Sequence, residues 1–205
     1  QDKKTSNTKD DFVSVKDREK VLEEIQNIEF KNQDLSDEEK EKYLKQFEKF
    51  RQDLRNTTEA MKKDPNAEVG LYWLLVYMGG IHRDIGDYTK AIKANLLAHQ
   101  IQPDAYPPLG NLGDIYFRYL RDYKEAEKWF LKVIEIEGAY TEQYYSELYE
   151  IYRFHMKDEK KAEELLISGI QKYPDKFDIL ATLALHYKQT GKTSLAIERY
   201  EELLK

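Results

Sequence analysis

Apolar residues recur along this chain at steps of three and four, the spacing of one face of an α-helix. Val21, Leu22, Ile25 and Ile28 predict a short helix over about 15–30. Tyr43, Phe47, Phe50, Leu54 and Met61 trace a second stripe, which ends near residue 63 ahead of Asp64-Pro65. Ser36 followed by Glu39 has capping-box spacing and marks the start of that helix. From residue 65 onward one grammar is read four times. A helix carries a large apolar residue, then a small one, then an aromatic or His: Met78-Gly79 with His82, Leu112-Gly113 with Tyr116, Leu148-Tyr149 with Tyr152, and Leu183-Ala184 with Tyr187. A short turn follows, and a second helix opens with Ala91, Ala126, Ala162 or Ala196, spaced 35, 36 and 34 residues apart.

A period in this range is the mark of stacked helical units, each burying its apolar face on a neighbour. Antiparallel helices approach closely only where a side chain is small. The early alanine and the small residue of the preceding helix therefore read as contact points. Gly86 and Gly191 sit at the turns, and Pro103 and Pro174 close second helices.

Together these residues resemble the tetratricopeptide repeat, with its W-x2-L-G-x2-Y…A-x3-F…P motif of about 34 residues. The resemblance covers about two thirds of the chain. It implies an all-α, right-handed helical solenoid of helix–turn–helix repeats over about 69–104, 105–139, 140–175 and 176–205. Residues 15–64 read as an N-terminal helical pair capping the array, and 1–14 as a disordered polar tether. Several positions depart from the motif. Repeats two and three each carry one extra residue before the alanine, assigned to Tyr119-Leu120-Arg121 and His155-Met156-Lys157. Tyr149 replaces a small residue, Gly169 stands where Ala is usual, and Asn95 where an aromatic is expected. These departures predict loosened packing.

The composition agrees with a helical chain, with few Gly and Pro and 35% charged residues. A net charge of −6 argues against a dedicated nucleic-acid binder. No run reaches the ~18 apolar residues of a membrane helix. The absence of Cys excludes disulfides and thiolate chemistry. The chain begins with Gln1 and a polar stretch. The expectation for localisation is a membrane-tethered or exported array, although a trimmed boundary explains the start equally.

No catalytic or metal-ligating constellation stands out. His82, His99, His155 and His186 lack ligand spacing, and His82 and His186 read as packing residues. Gly79-Gly80 reads as close packing within a helix. Tyr140, Tyr144, Tyr145 and Tyr149 form a cluster, one of which could reach a ligand surface. The expectation is no enzyme, no cofactor and no metal.

Arg83, Arg118, Arg153 and Lys188 are spaced 35 apart in the last turns of first helices. They read as cations satisfying helix ends, or as a row that meets acidic groups of a partner. In proteins with this resemblance the first helices line a concave groove. It implies a partner-binding groove of Trp73, Val76, Gly80 and Arg83, then Asp114, Phe117 and Arg118, then Glu150 and Arg153, and finally Leu185 and Lys188. Some relatives clamp the acidic tails of chaperones with Lys and Asn. Val76, Gly80 and Asp114 occupy those places here, which argues against such a clamp. The expected function is a non-enzymatic scaffold for a protein or peptide partner. The alternatives are an assembly subunit that self-associates through its ends, as a homo-oligomer through the C-terminal end, and a regulatory domain trimmed from a larger protein.

Overall fold

A computed structural model describes residues 15–136 and 142–204, with side chains from Asp17 onward. The polar stretch 1–14 and Tyr140 lie outside the described residues. The described residues are all-α. They fall into two compact units, one ending at Ile115 and one beginning at Tyr116.

In the first unit, α1 (Val15–Glu24) is followed by α2 (Asp37–Met61), α3 (Glu68–Asp84), α4 (Tyr88–Ile101) and α5 (Tyr106–Asp114). The Ser36–Glu39 capping box forms at the start of α2, with both reciprocal bonds made. Phe47, Phe50 and Leu54 of α2 share one core with Leu71, Tyr72, Leu75 and Met78 of α3 and with Ala94 and Leu97 of α4.

The predicted helix over 15–30 stops at Glu24. Residues 25–32 instead form a strap across the end of α3. The amides of Lys31 and Asn32 both donate to the Ile85 carbonyl, at 2.9 and 2.8 Å. The Asn32 side chain donates to the Asp84 carbonyl. Those carbonyls are among the acceptors a helix leaves unsatisfied at its C-terminus. Ion-pairing adds a second tie: Asp87, almost fully buried, lies 3.0 Å from both Lys31 and Lys90. Arg51 of α2 donates to the Gln26 carbonyl at 2.7 Å.

In the second unit, a π-helical segment (Ile115–Leu120, its first residue closing the first unit) leads to α6 (Tyr123–Glu135). Then come α7 (Gln143–Glu150), a second π-helical segment (Ile151–His155), α8 (Glu159–Lys172), α9 (Phe177–Gln189) and α10 (Thr193–Glu202). The four alanines are buried in their hairpins.

The extra residue of repeats two and three is taken up in these wider π turns, upstream of the turn where the sequence placed it. A turn bond from the residue after the left-handed position shows the shift. Asp87 and Lys192 reach back five residues, to His82 and Tyr187; Asp122 and Asp158 reach back six, to Tyr116 and Tyr152. Packing there is not loosened, since Ile151 and Tyr152 are buried. Nor is it loose at Asn95, whose fully buried amide donates to the Ala91 carbonyl and accepts from Asn111.

Candidate partner-binding surface

α3 is apolar over most of its circumference, so burying one face leaves large residues outside. Leu71, Tyr72, Leu75 and Met78 go inward. Val69, Trp73 and Tyr77, spaced by four, form a stripe on the other side, with Trp73 57% and Tyr77 47% exposed. The stripe borders an open cleft of about 540 Å³ between α2 and α3, with Phe50 as part of its lining and Asp53, Thr57 and Gly70 around it. The Tyr72 ring meets Trp73 edge-on at 4.9 Å and supports it from beneath.

The two adjacent glycines of α3 differ in role. A Cβ on Gly79 would lie 2.3 Å from the Asn95 amide, so close packing requires that glycine. A Cβ on Gly80 would meet nothing within 4 Å. Packing therefore does not explain Gly80, contrary to the reading of the pair from sequence. It leaves bare backbone beside Trp73, Val76 and Tyr77 on an otherwise well-formed helix.

The remaining groove candidates are distributed as follows. Val76 and Arg83 are half-buried, and Arg83 pairs with neighbouring Asp84. Asp114 is half-buried at the end of α5. Phe117 is only 6% exposed, because it packs edge-on against Tyr123, Phe130 and His155. It supports the surface from inside and does not line it. Arg118 is exposed and pairs with Glu147, while Arg153 is largely covered and pairs with Glu159. Glu150, Leu185 and Lys188 are exposed. The even spacing of the four cations hides a change of phase. Arg83, Arg153 and Lys188 directly follow the aromatic position, whereas Arg118 stands two after Tyr116. Tyr144, Tyr145 and Tyr149 of the tyrosine cluster are buried and offer no ligand surface.

His82 and His186 are fully buried. The Nε2–H of His82 donates to the Ile25 carbonyl at 2.8 Å, and the ring meets Phe47 edge-on. Burial pushes its pKa down to about 4, against smaller opposing effects from the Ile25 bond and Asp87. Burial also lowers His186, aided by Arg153. Burial alone would raise Asp87, but hydrogen bonds from Lys90 and Lys31 outweigh it and hold the carboxyl below its ordinary value. Among the described residues no group of His, Asp and Glu is arranged to hold a metal ion. No helix among them is long and apolar enough to cross a membrane.

The tetratricopeptide-repeat family model matches residues 106–140. No curated protein sequence matches the chain. Similar solved structures include MamA, at 20% identity and TM-score 0.53, covering 83% of this chain and 94% of that one. MamA from residue 41 to its end, from Desulfovibrio magneticus RS-1, aligns at 15% identity and TM-score 0.51, covering 76% and 93%. YrrB, described as a TPR protein with an unusual peptide-binding site, aligns at 14% identity and TM-score 0.51, covering 72% of each chain. At these identities the likeness is one of fold. One repeat, residues 106–140, thus matches the tetratricopeptide-repeat family, and the fold of the described residues is similar to that of solved tetratricopeptide-repeat proteins.

Proposed function

We propose that the chain is a non-enzymatic protein-interaction scaffold that takes a peptide or partner helix against the first helices of its repeats. The observation that carries this reading is the exposed Trp73–Tyr77 stripe beside an open cleft and the bare backbone of Gly80. Large aromatics left in water are the residues that most often anchor protein interfaces. A helix-interior glycine costs about 1 kcal/mol relative to alanine, so one that packing does not require is consistent with close approach by another chain. The fold it shares with YrrB, described as having a peptide-binding site, supports the same reading.

The test is crosslinking with mass-spectrometric identification of partners, comparing the unaltered chain with Trp73→Ala/Tyr77→Ala and with Gly70→Leu. The last places a large side chain in the cleft from an exposed helical position. Partners lost in both variants, with helicity retained, support the reading. Partners unchanged in both would sink it.

A second reading, self-association, is favoured by α10, where Leu195, Ile197 and Tyr200 are exposed. Sedimentation velocity decides it: a monomer at tens of micromolar removes it.

A further inference from the structure

The turns of repeats two and three are built at a cost that the other two avoid. Gly86 and Gly191 adopt the left-handed conformation with φ of 83° and 76°. At the equivalent positions Arg121 and Lys157 adopt it with φ of 54° and 56°. A side chain there is disfavoured by roughly 1–2 kcal/mol, which glycine avoids. Both strained positions hold an exposed cation.

Around Arg121 the local charge opposes that of the whole protein. Among the charged residues that line the two clefts there, Arg118, Arg121 and Lys124 outnumber Asp122 and Glu150, in a chain of net charge −6. Asp122 is engaged in capping α6 through the Glu125 amide, and Arg118 is engaged by Glu147. Arg121 and Lys124 line an open cleft of about 750 Å³ with Leu120, Tyr123 and His155. A second cleft of about 510 Å³ shares Arg121, Tyr123 and His155, and reaches Arg118 and Glu150. Aromatic rings form most of the wall common to both. Tyr123 stacks on His155 with centroids 4.0 Å apart and planes within 13°, and Phe117 meets His155 edge-on. Tyr119 and Leu120 are exposed beside it, carried there by the π turn.

We propose that this corner of the second unit binds a short acidic–apolar peptide segment of a protein partner. Carboxylates of the segment meet Arg121 and Lys124, and an apolar side chain rests on Leu120 and the Tyr123–His155 stack. A peptide fits better than a nucleic acid, because exposed apolar Leu120 flanks the cations and the overall negative charge repels a long polyanion. The site shares no residue with the cleft between α2 and α3, so either can fail without the other.

The probe is a fluorescein-labelled ten-residue peptide of alternating Glu and Leu, followed by fluorescence anisotropy with the full chain. Its counterpart has Gln for every Glu. The acidic peptide should bind about tenfold more tightly than its Gln counterpart, the range of one or two charge-assisted contacts. The difference should shrink between about 50 and 300 mM salt as screening shortens. Arg121→Gly removes the cation while relaxing the backbone, so its loss of binding does not reflect misfolding. Adding Lys124→Gln should erase the preference for Glu. Equal binding of the two peptides, undiminished binding to the double variant, no binding of the acidic peptide, or equally tight binding of a ten-residue oligothymidylate each overturns the proposal.

Discussion

The ring of Tyr145 lies directly over Gly169: a Cβ added to the glycine would sit 2.7 Å from a ring carbon. Tyr145 is large where the equivalent residue of α3 is Leu75, and Gly169 is small where α4 has Ala98. The two substitutions exchange volume across one hairpin. Gly169→Ala should destabilise the chain by about 1–3 kcal/mol through overpacking. Tyr145→Leu in the same background should recover part of that loss. Urea unfolding of both single variants and the pair gives the coupling, and an additive result would refute the exchange.

Adjacent glycines of α3 should respond with opposite signs. Gly79→Ala drives a methyl into the Asn95 amide and should cost about 1–3 kcal/mol. Gly80→Ala meets open space and should raise stability by about 1 kcal/mol through helix propensity. Thermal unfolding of the two variants is sufficient to check both signs.

The left-handed turn positions predict a graded series. Gly191→Ala faces only the conformational penalty, about 1–2 kcal/mol. Gly86→Ala carries the same penalty and also places its Cβ 2.7 Å from the backbone nitrogen of Asn32, so it should cost clearly more. Lys157→Gly should instead stabilise by about 0.5–1 kcal/mol, the strain relieved less the entropy glycine adds to the unfolded chain. Chemical denaturation that ranked Gly191→Ala as the worst of the three would contradict this account of the turns.

Acid should weaken the first unit through His82. The unfolded imidazole titrates near 6.5 and the folded one near 4. Between these values the unfolded chain takes up a proton that the folded chain refuses. The contribution is therefore full above about 6.5 and is lost as pH falls toward 4. At ~1.4 kcal/mol per pKa unit it is on the order of 3 kcal/mol. His186 is shifted in the same direction, so the readout is a difference. His82→Gln should flatten the slope of unfolding midpoint against pH across that window. An unchanged slope would mean that His82 is not the titrating group.

Sequence periodicity made the hairpins legible because it reports which side of a helix is buried. Ala91, Ala126, Ala162 and Ala196 are all buried as their spacing implied. Periodicity does not report helical pitch over a single turn. One surplus residue in each of two repeats was therefore assigned to the connecting turn, when widening of the helix itself absorbs it. Compensation between residues distant in sequence was equally hidden. Gly169 and Asn95 read as defects until Tyr145 and Gly79 are seen opposite them. Phe117 was assigned to the surface for the same reason. It lies within the π turn, where Tyr123, Phe130 and His155 enclose it. The strap is hidden in the sequence because Ile25 and Ile28 continue the apolar steps of α1 after its backbone has left the helix. Ile25 is fully buried, and only its carbonyl, in accepting from His82, reveals why the chain departs there.

Residues 25–32 also bear on modularity. A repeat protein invites exchange of its units, and residues 68–101 look like a cassette that could be lifted out whole. They are not one. Excised without the strap, the cassette would lose the donors to the carbonyls of Asp84 and Ile85, the acceptor for His82 and the lysine that shares Asp87 with Lys90. A designer who grafts this hairpin, its aromatic stripe included, must transplant the eight-residue strap with it or redesign the end of α3 around its absence.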